Sequence, residues 1–421
     1  MNHREHVKSI VDHNEGAVPM DFGAGPTTGV HVNVIGGLRA HYGLKKIPVK
    51  VIEPFQMLGE VDEELQNVLG IACEGITGRT NFFGFENTGW KEWRAPWGQD
   101  VLVPRDFNTT TDASGATYLY PQGDRSVPPS GKMPQGGWFF DDILRQDPDL
   151  DLDTVEADGN KEDFADLTAE DVAYVKREAT RAASTGRYVL ANLGGTALGD
   201  IACVPAPFLK HPKGVRDVAS WYMLTAIRPE VVKEIFAYES DIALRSLAKI
   251  KSVAEDSIDA LYICGTDFGT QNGLFSSPEC FDDVYAPYYA KINGWIHENT
   301  KWKTFKHSCG AIEPVIDRLI DCGFDILNPV QCSAAGMEPG LLKKKYGDRI
   351  VFWGGGINTQ KTLPFGTPEE VRAEVLERCE VFSPGGGFVF NTIHNALANT
   401  PIANFVAMVD AVKEFNVKFT R

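Results

Sequence analysis

From residue 187 onward the sequence alternates between short apolar runs and amphipathic segments, and this alternation is the strongest constraint on the fold. The strand-like runs cover residues 188–193, 258–264, 303–307, 325–328, 350–353 and 388–391. The helical patterns between and after them cover residues 216–250, 278–299, 311–322, 337–346, 368–380 and 402–415. Strands that alternate with helices at this spacing form parallel sheets. We therefore predict an α/β fold, a (β/α)8 TIM barrel that occupies residues 1–421 as one domain.

The N-terminal third departs from this regular pattern. Residues 17–22 predict a first strand that ends at Asp21, and this makes seven of the eight strands of a barrel. Between residues 80 and 165, alternating apolar positions with Gly and Pro between them predict a β meander followed by an acidic loop. We expect this segment to be a β-rich insertion in the barrel domain, and the eighth strand to lie elsewhere in the N-terminal third.

The predicted insertion is rich in aromatic residues, namely Trp90, Trp93, Trp97 and Tyr118. They are consistent with a cover over the barrel mouth that favours an aromatic or quaternary-amine substrate. They are equally consistent with an ordinary hydrophobic cluster or with a dimer surface. A homodimer is therefore a further expectation.

Composition and charge exclude several classes of function. Hydrophobic residues make up 43% and charged residues 23% of the 421, as in soluble globular proteins. A net charge of -16 argues against nucleic-acid and anionic-membrane partners, which need a basic surface. No apolar run reaches the roughly 20 residues of a membrane span. The eight cysteines are dispersed without a Cys-x-x-Cys pair, as reduced thiols are, and we expect a cytoplasmic protein.

A histidine and a cysteine stand two residues apart where the strand at 303–307 ends. They are His307 and Cys309, and Gly310 follows them before a helical pattern. Active sites of (β/α) barrels lie at these strand ends. An imidazole beside a thiol at this position suggests zinc binding or a reactive thiolate. The alternative is a buried histidine beside a structural cysteine.

Polar side chains also follow the other predicted strands, so a barrel would collect them at one rim. We take Asp267, Asn328 and Asp21 as candidate catalytic residues, with Asp267 the natural acid, base or cation partner. The candidate substrate-binding residues are Gln271, Gln331, Asn358, Gln360 and Asn391. His394, after the last strand, is a candidate metal ligand or proton donor. Each of these residues could also be an ordinary cap or turn residue, but together they indicate a lined pocket.

Several motifs resemble the uroporphyrinogen decarboxylase superfamily. They are Asp267-Phe268-Gly269-Thr270-Gln271, Ser277-Pro278-Glu279, His307-Ser308-Cys309-Gly310, Asp325-Ile326-Leu327-Asn328-Pro329-Val330-Gln331 and Gly366-Thr367-Pro368-Glu369-Glu370-Val371. The resemblance covers roughly residues 187–415. It implies a (β/α)8 barrel and one of two chemistries: cofactor-free decarboxylation of a porphyrinogen, or zinc-dependent methyl transfer between a corrinoid protein and a thiol or methyl donor.

In the methyltransferase branch of that superfamily, zinc is held by a His-x-Cys pair and by a distant cysteine in a Pro-Gly-Cys-Gly turn. The pair corresponds to His307 and Cys309. The distant turn is expected at residues 383–387, where Gly386 stands in place of the cysteine. A catalytic zinc ion needs about three protein ligands. Either another residue supplies the third ligand or no metal binds, and the candidates in order are His394, Cys332 and Glu313.

The resemblance leads to a first hypothesis, a zinc-dependent methyltransferase that acts on a small molecule. The chain has no Asp-x-His-x-x-Gly motif for the lower ligand of a corrinoid, so cobalamin would be carried by a separate corrinoid protein. The second hypothesis is a metal-free decarboxylase. It fits less well, because residues 22–28 lack the arginines that porphyrinogen carboxylates require. The third hypothesis is a non-catalytic ligand-binding barrel.

Overall fold

The computed structural model describes residues 2–193 and 198–419 of the chain. The strands in this part are β1 (Val49–Glu53), β2 (Leu58–Gly59), β3 (Cys73–Thr77), β4 (Lys91–Arg94), β5 (Asp100–Val103), β6 (Thr109–Thr111), β7 (Thr117–Leu119), β8 (Gly131–Met133), β9 (Asp141–Asp142), β10 (Tyr188–Asn192), β11 (Ala260–Cys264), β12 (Lys303–His307), β13 (Ile326–Asn328), β14 (Val351–Trp353) and β15 (Phe388–Val389).

The helices in the same part are α1 (His3–Val11), α2 (Val32–His41), α3 (Glu63–Leu69), α4 (Asp158–Lys161), α5 (Ala169–Ser184), α6 (Val218–Ile227), α7 (Pro229–Ala254), α8 (Pro278–Cys280), α9 (Ala286–Asn299), α10 (Glu313–Asp321), α11 (Pro339–Tyr346), α12 (Thr362–Phe365), α13 (Pro368–Phe382) and α14 (Ile402–Asn416). A π-helical turn at Phe281–Tyr285 joins α8 to α9. The segment predicted as one helix at 216–250 is divided at Arg228 into α6 and α7, because Pro229 has no N–H with which to continue the first helix.

Seven strands form a parallel sheet in the order β15-β14-β13-β12-β11-β10-β3. Each pair of neighbours runs parallel, and β10 and β3 are paired over five residues. From β10 to β15 the spatial order follows the chain order, as the strand–helix alternation predicts. The carboxyl ends of all seven strands therefore meet at one end of the sheet.

The short segment around Met20 connects the two edges of this sheet. Met20 forms parallel bridges with Phe390, directly after β15, and with Ile71, just before β3. The predicted strand at 17–22 is thus wrong in its extent. Pro19 lacks an N–H, and both backbone groups of Val18 bind the side chain of Asn416 rather than a neighbouring strand. The strand that the sequence pattern failed to reveal in the N-terminal third is β3.

One face of the curved sheet encloses an apolar core. Tyr188 and Leu190 of β10 point into it, and so do Val351 and Trp353 of β14, because alternate strand residues share a face. Helix α1 covers the amino-terminal ends of the strands and adds Val7 and Val11 to this core. The core therefore fills the inside of the curled sheet toward the amino-terminal ends of its strands, and the carboxyl ends are left free for a site.

Two small sheets precede β10 in the chain. One has the order β2-β1-β5-β4 and the other is the meander β6-β7-β8-β9. The meander lies inside residues 80–165, but the first sheet also uses β1 and β2, ahead of residue 80. Short strands with Gly and Glu between apolar residues carry a weak pattern, and this explains why the sequence did not reveal β1, β2 and β3.

Two of the four predicted aromatic residues, Trp93 and Trp97, pack in a hydrophobic cluster, whereas Trp90 and Tyr118 lie under the ammonium groups of Lys50 and Lys132. Trp93 lies 5.1 Å from Phe107 between ring centroids, and Trp97 lies 5.0 Å from Trp138. The His31 ring packs against both Trp97 and Trp138, tilted toward the first and edge-on to the second. Among the described residues, no helix is both long and apolar enough to span a membrane.

The Arg4–Asp259 ion pair joins α1 to the residue that precedes β11. Removing this ion pair tests the architecture. Arg4 Nε lies 2.8 Å from Asp259 Oδ2, and Val189 N also donates to this carboxylate. Asp259→Ala removes a buried carboxylate that Arg4, Lys8 and Val189 N all contact, so we expect the free energy of unfolding to fall by about 3 kcal/mol in denaturant titrations. Glu5→Ala, on the exposed side of α1, is the control and should change it by about 0.5 kcal/mol or less. Equal effects would show that the ion pair does not hold α1 against the sheet.

Candidate metal centre

His307 and Cys309 lie side by side at the carboxyl end of β12. His307 is the last residue of the strand and is 4% exposed. Cys309 follows in the loop, and its Sγ lies 3.4 Å from His307 Nε2. Two ligands of a tetrahedral zinc ion, at about 2.0 and 2.3 Å from the metal, are roughly 3.5 Å apart. The spacing of these two atoms therefore fits zinc.

His394 completes a cluster of three metal-ligating side chains. One ligand atom from each of His307, Cys309 and His394 lies within 4.8 Å of the others. The two imidazole rings are 5.5 Å apart and nearly perpendicular. The other candidates for the third ligand are occupied elsewhere: Cys332 Sγ contacts the carbonyls of Val330 and Gly355, and Glu313 binds Lys345 and Tyr346.

The expectation that Gly386 takes the place of a zinc-binding cysteine is wrong. Gly386 precedes β15, so it lies at the amino-terminal end of the sheet, opposite His307. A Cβ atom at this position would come within 2.5 Å of the Asn14 backbone. The loop that reaches the candidate centre is the one after β15, which carries His394.

The amide of Asn328, on the neighbouring strand β13, orients His307. Its Nδ2 donates to the carbonyl of Trp353, so its Oδ1 faces His307 Nδ1 at 2.6 Å and also accepts from Thr27. His307 Nδ1 must therefore carry the proton, and Nε2 presents a lone pair toward Cys309. Burial lowers the pKa of His307 to about 4, against the opposing effect of the Asn328 hydrogen bond, and leaves the imidazole neutral at pH 7.

His394 is also a neutral imidazole. Burial lowers its pKa to about 4, and the nearby His307 acts in the same direction. The carbonyl of His394 accepts a hydrogen bond from Thr392 Oγ1, which shapes the turn after β15. Both imidazoles are therefore in the protonation state that a metal requires.

Asp267 holds the loop that carries Cys309. Its Oδ1 accepts a hydrogen bond of 2.6 Å from Cys309 N and lies 3.9 Å from His307 Nε2. Burial raises the pKa of Asp267, and it raises the pKa of the Cys309 thiol well above its usual value, with Asp267 adding to the effect on the thiol. A bound divalent cation would reverse the effect on the thiol, because a metal deprotonates a coordinating thiol.

Further hydrogen bonds join the loop after β12 to its neighbours. Gln331 Oε1 accepts from Gly310 N at 2.7 Å, and Ser308 Oγ accepts from Phe268 N. Gly310 has φ +91° and abuts the backbone of Gly269, which leaves no room for a side chain. The sequence analysis did not identify Ser308 as a residue that supports the centre. The available signal was its position, as a small hydroxyl residue between two candidate ligands. Gln331 supports the backbone here, and its predicted contact with substrate stays a prediction.

Asp21 and Asn391 lie deeper and fasten the segment after Met20 to the sheet. Both are fully buried. Asp21 accepts hydrogen bonds from Ala24 N and Trp353 Nε1, and Asn391 Nδ2 donates to the Asp21 carbonyl. Burial raises the pKa of Asp21 to about 6, partly offset by its hydrogen bonds. The structure thus gives both residues partners within the protein.

The remaining predicted substrate residues lie on the surface of their loops. Asn358 Oδ1 accepts from the backbone of Gln360 and Lys361, so this side chain caps its own turn. Gln360 is exposed, and Gln271 is exposed on the loop that carries Asp267. Of these three, Gln271 is the one whose loop also supplies a residue of the centre.

Comparison with known proteins agrees with this arrangement. The family model for uroporphyrinogen decarboxylase (URO-D) matches residues 206–415, which contain β11 to β15 and all three clustered ligands. The chain belongs to the uroporphyrinogen decarboxylase superfamily. The resemblance inferred from the sequence motifs is thus confirmed at the level of the superfamily.

Individual relatives cover only part of the chain. It is 33% identical to the uroporphyrinogen decarboxylase of Psychromonas ingrahamii over 201 residues, which are 45% of this chain and 52% of that protein. It is 30% identical to the enzyme of Coxiella burnetii over 91 residues, 21% of this chain and 24% of the relative. The chain thus aligns with about half the length, or less, of these superfamily members.

A methyltransferase from Methanosarcina mazei has a similar fold. The two structures align with a TM-score of 0.54 over 99% of both chains, at 14% sequence identity. At this identity the superfamily's fold is what the two proteins share.

The role of Asn328 can be tested on the metal-free protein. Asn328→Ala removes the acceptor for His307 Nδ1–H, so we expect the ring to lose its single tautomer in ¹⁵N NMR spectra of histidine-labelled protein. Because buried partners are left unsatisfied, the free energy of unfolding should fall by about 1–3 kcal/mol. Asn358→Ala, at an exposed turn, is the matched control and should leave the His307 signals unchanged. An unaltered tautomer in Asn328→Ala would contradict the assignment.

Proposed function

We propose that this chain is a zinc-dependent methyltransferase that moves a methyl group between a small substrate and either a corrinoid protein or a thiol. The observation that carries the proposal is the convergence of His307, Cys309 and His394 at the carboxyl ends of the strands. Two imidazoles and a thiolate are a zinc donor set, and three protein ligands leave the fourth position for a substrate. The name of the Methanosarcina mazei protein is compatible with this proposal.

The protein would hold zinc through His307 Nε2, Cys309 Sγ and His394. When bound, zinc supplies a Lewis acid that keeps a substrate thiol in its thiolate form or polarises the bond to a methyl group. Asn328 acts as a positioning residue, because its oxygen keeps the His307 proton on Nδ1. We assign to Asp267 the acceptance of a thiol proton at Oδ2, since Oδ1 is already bonded to Cys309 N.

Three further assignments belong to this proposal. The chain lacks the Asp-x-His-x-x-Gly motif, so in this proposal cobalamin arrives on a separate corrinoid protein. Gln271, exposed beside Asp267, would contact the substrate or this partner. We also propose that the chain is a single barrel domain in which residues 80–165 are an insertion, since β4 to β9 all lie between β3 and β10.

Decarboxylation is the second candidate function. The partial matches to uroporphyrinogen decarboxylases favour it, as do two carboxyl groups, Asp21 and Asp267, whose pKa values are raised by burial. Against it, residues 22–28 contain no arginine, although this segment reaches the centre through Thr27. A polycarboxylate substrate needs cationic partners, so methyl transfer is the better-supported function.

The metal site predicts a specific pattern of zinc loss. Protein purified without chelator should contain about one zinc ion per chain. Cys309→Ala and His394→Ala should each weaken zinc binding by more than about 100-fold, the upper range for residues that only support a ligand. Cys332→Ala is the control, because its sulfur contacts two carbonyls instead. In cobalt-substituted protein the sulfur-to-cobalt absorption band should vanish in Cys309→Ala and persist in Cys332→Ala; equal zinc binding by all variants would contradict the site.

Methyl transfer can be measured directly with zinc-loaded protein. Methylcobalamin and small thiols should yield methyl thioether and cob(I)alamin, which absorb differently from the reactants. Chelation should abolish the reaction and zinc should restore it. Carbon dioxide release from a porphyrinogen by chelated enzyme would instead establish the decarboxylase, and ligand binding without turnover would establish a binding protein.

A further inference from the structure

Lys306, between two residues of β12 that face the barrel core, has an unusual environment. It is 0% exposed. Because strand residues alternate in direction, its side chain points away from Phe305 and His307 and toward the helix layer. Its ammonium lies over the rings of Phe268 and Tyr289, at 5.1 and 5.7 Å.

The ammonium donates hydrogen bonds to two backbone carbonyls. They belong to Thr266, at 2.7 Å, and to His307, at 2.6 Å. Within residues 2–193 and 198–419 no carboxylate lies within 4.0 Å of it, so it has no ion pair there. Asp200 and Asp267 attract the ammonium at longer range. Burying a charge that no carboxylate contacts is still costly, and an apolar side chain would fill the same space without that cost. A buried ammonium that contacts two backbone carbonyls at this cost therefore calls for a functional explanation.

Those two carbonyls belong to the two loops that hold the candidate centre. Thr266 immediately precedes Asp267, and His307 is itself a predicted ligand and lies two residues before Cys309. The ladder between β11 and β12 shifts its register between Tyr262 and Cys264, and its last pair is Cys264 with Lys306, ahead of both loops. Regular strand pairing thus does not set the distance between the two loops.

We propose that Lys306 is a positioning residue that clamps these two loops together and thereby maintains the contact between Asp267 and Cys309. The ammonium joins the two loops beyond the last pair of this ladder, Cys264 and Lys306. Its rigid placement between carbonyls and aromatic rings keeps Asp267 Oδ1 at 2.6 Å from Cys309 N. This role rests on the proposed function only in that the clamped loops carry the proposed zinc ligands.

Lys306→Met tests the proposal, because methionine fills similar space without donating hydrogen bonds. In metal-free protein the Cys309 amide should exchange with solvent at least about tenfold faster. Zinc affinity should fall about 10- to 100-fold, as for other residues that support a ligand, and the cobalt absorption bands should shift. Lys306→Arg keeps the charge and the hydrogen-bond donors. It should therefore retain most of the parent protein's amide protection at Cys309, zinc affinity and cobalt absorption.

Lys303→Met is the control on the same strand, since Lys303 pairs with Asp12 at the opposite end of the barrel. It should leave amide exchange and the cobalt spectrum unchanged. If Lys306→Met does not fold, Lys306→Gln provides the test, because glutamine keeps one amide donor group. Its Cys309 amide exchange rate and its zinc affinity should lie between those of the parent protein and those expected for Lys306→Met. Unchanged exchange and spectrum in Lys306→Met or Lys306→Gln would overturn the clamp. A parent protein without zinc would overturn the proposed function, yet amide exchange would still test Lys306.

Discussion

The parallel pairing of the seven-stranded sheet is the constraint on which the rest of the structure depends. Parallel strands in sequential order bring their carboxyl ends to one end of the sheet, so loops far apart in the chain become neighbours. His307 and His394 are 87 positions apart by their numbers, yet their rings are 5.5 Å apart. Without this pairing, the loops that carry the candidate ligands would not be neighbours.

Amide and carboxyl groups from adjacent strands and loops then determine how each ligand is presented. Asn328 orients His307, Asp267 holds the backbone at Cys309, and Gln331 holds Gly310. Each contact crosses from one strand or loop to the next, so the geometry of the centre and the packing of the sheet support each other. Burial keeps both imidazoles neutral, which suits them to a metal rather than to general acid chemistry.

Superfamily membership and site chemistry carry different information about function. The same barrel supports decarboxylation and methyl transfer, so the fold alone cannot distinguish them. We propose methyl transfer as the better-supported function, because two imidazoles and a thiol have ligand atoms within 4.8 Å of one another. The absence of arginine from residues 22–28 agrees with this conclusion.

The sequence by itself determined the strand–helix alternation from residue 187 onward and the His307–Cys309 pair, because both are local patterns. It also placed His394, Asn328 and Asp267 at strand ends, since each follows or ends an apolar run. Only the tertiary structure decided that β3 joins the sheet, that the segment around Met20 connects its edges and that Gly386 lies at the opposite end from the centre. These features depend on contacts between residues distant in sequence, and the same is true of Lys306, whose carbonyl partners become neighbours only after the strands have paired.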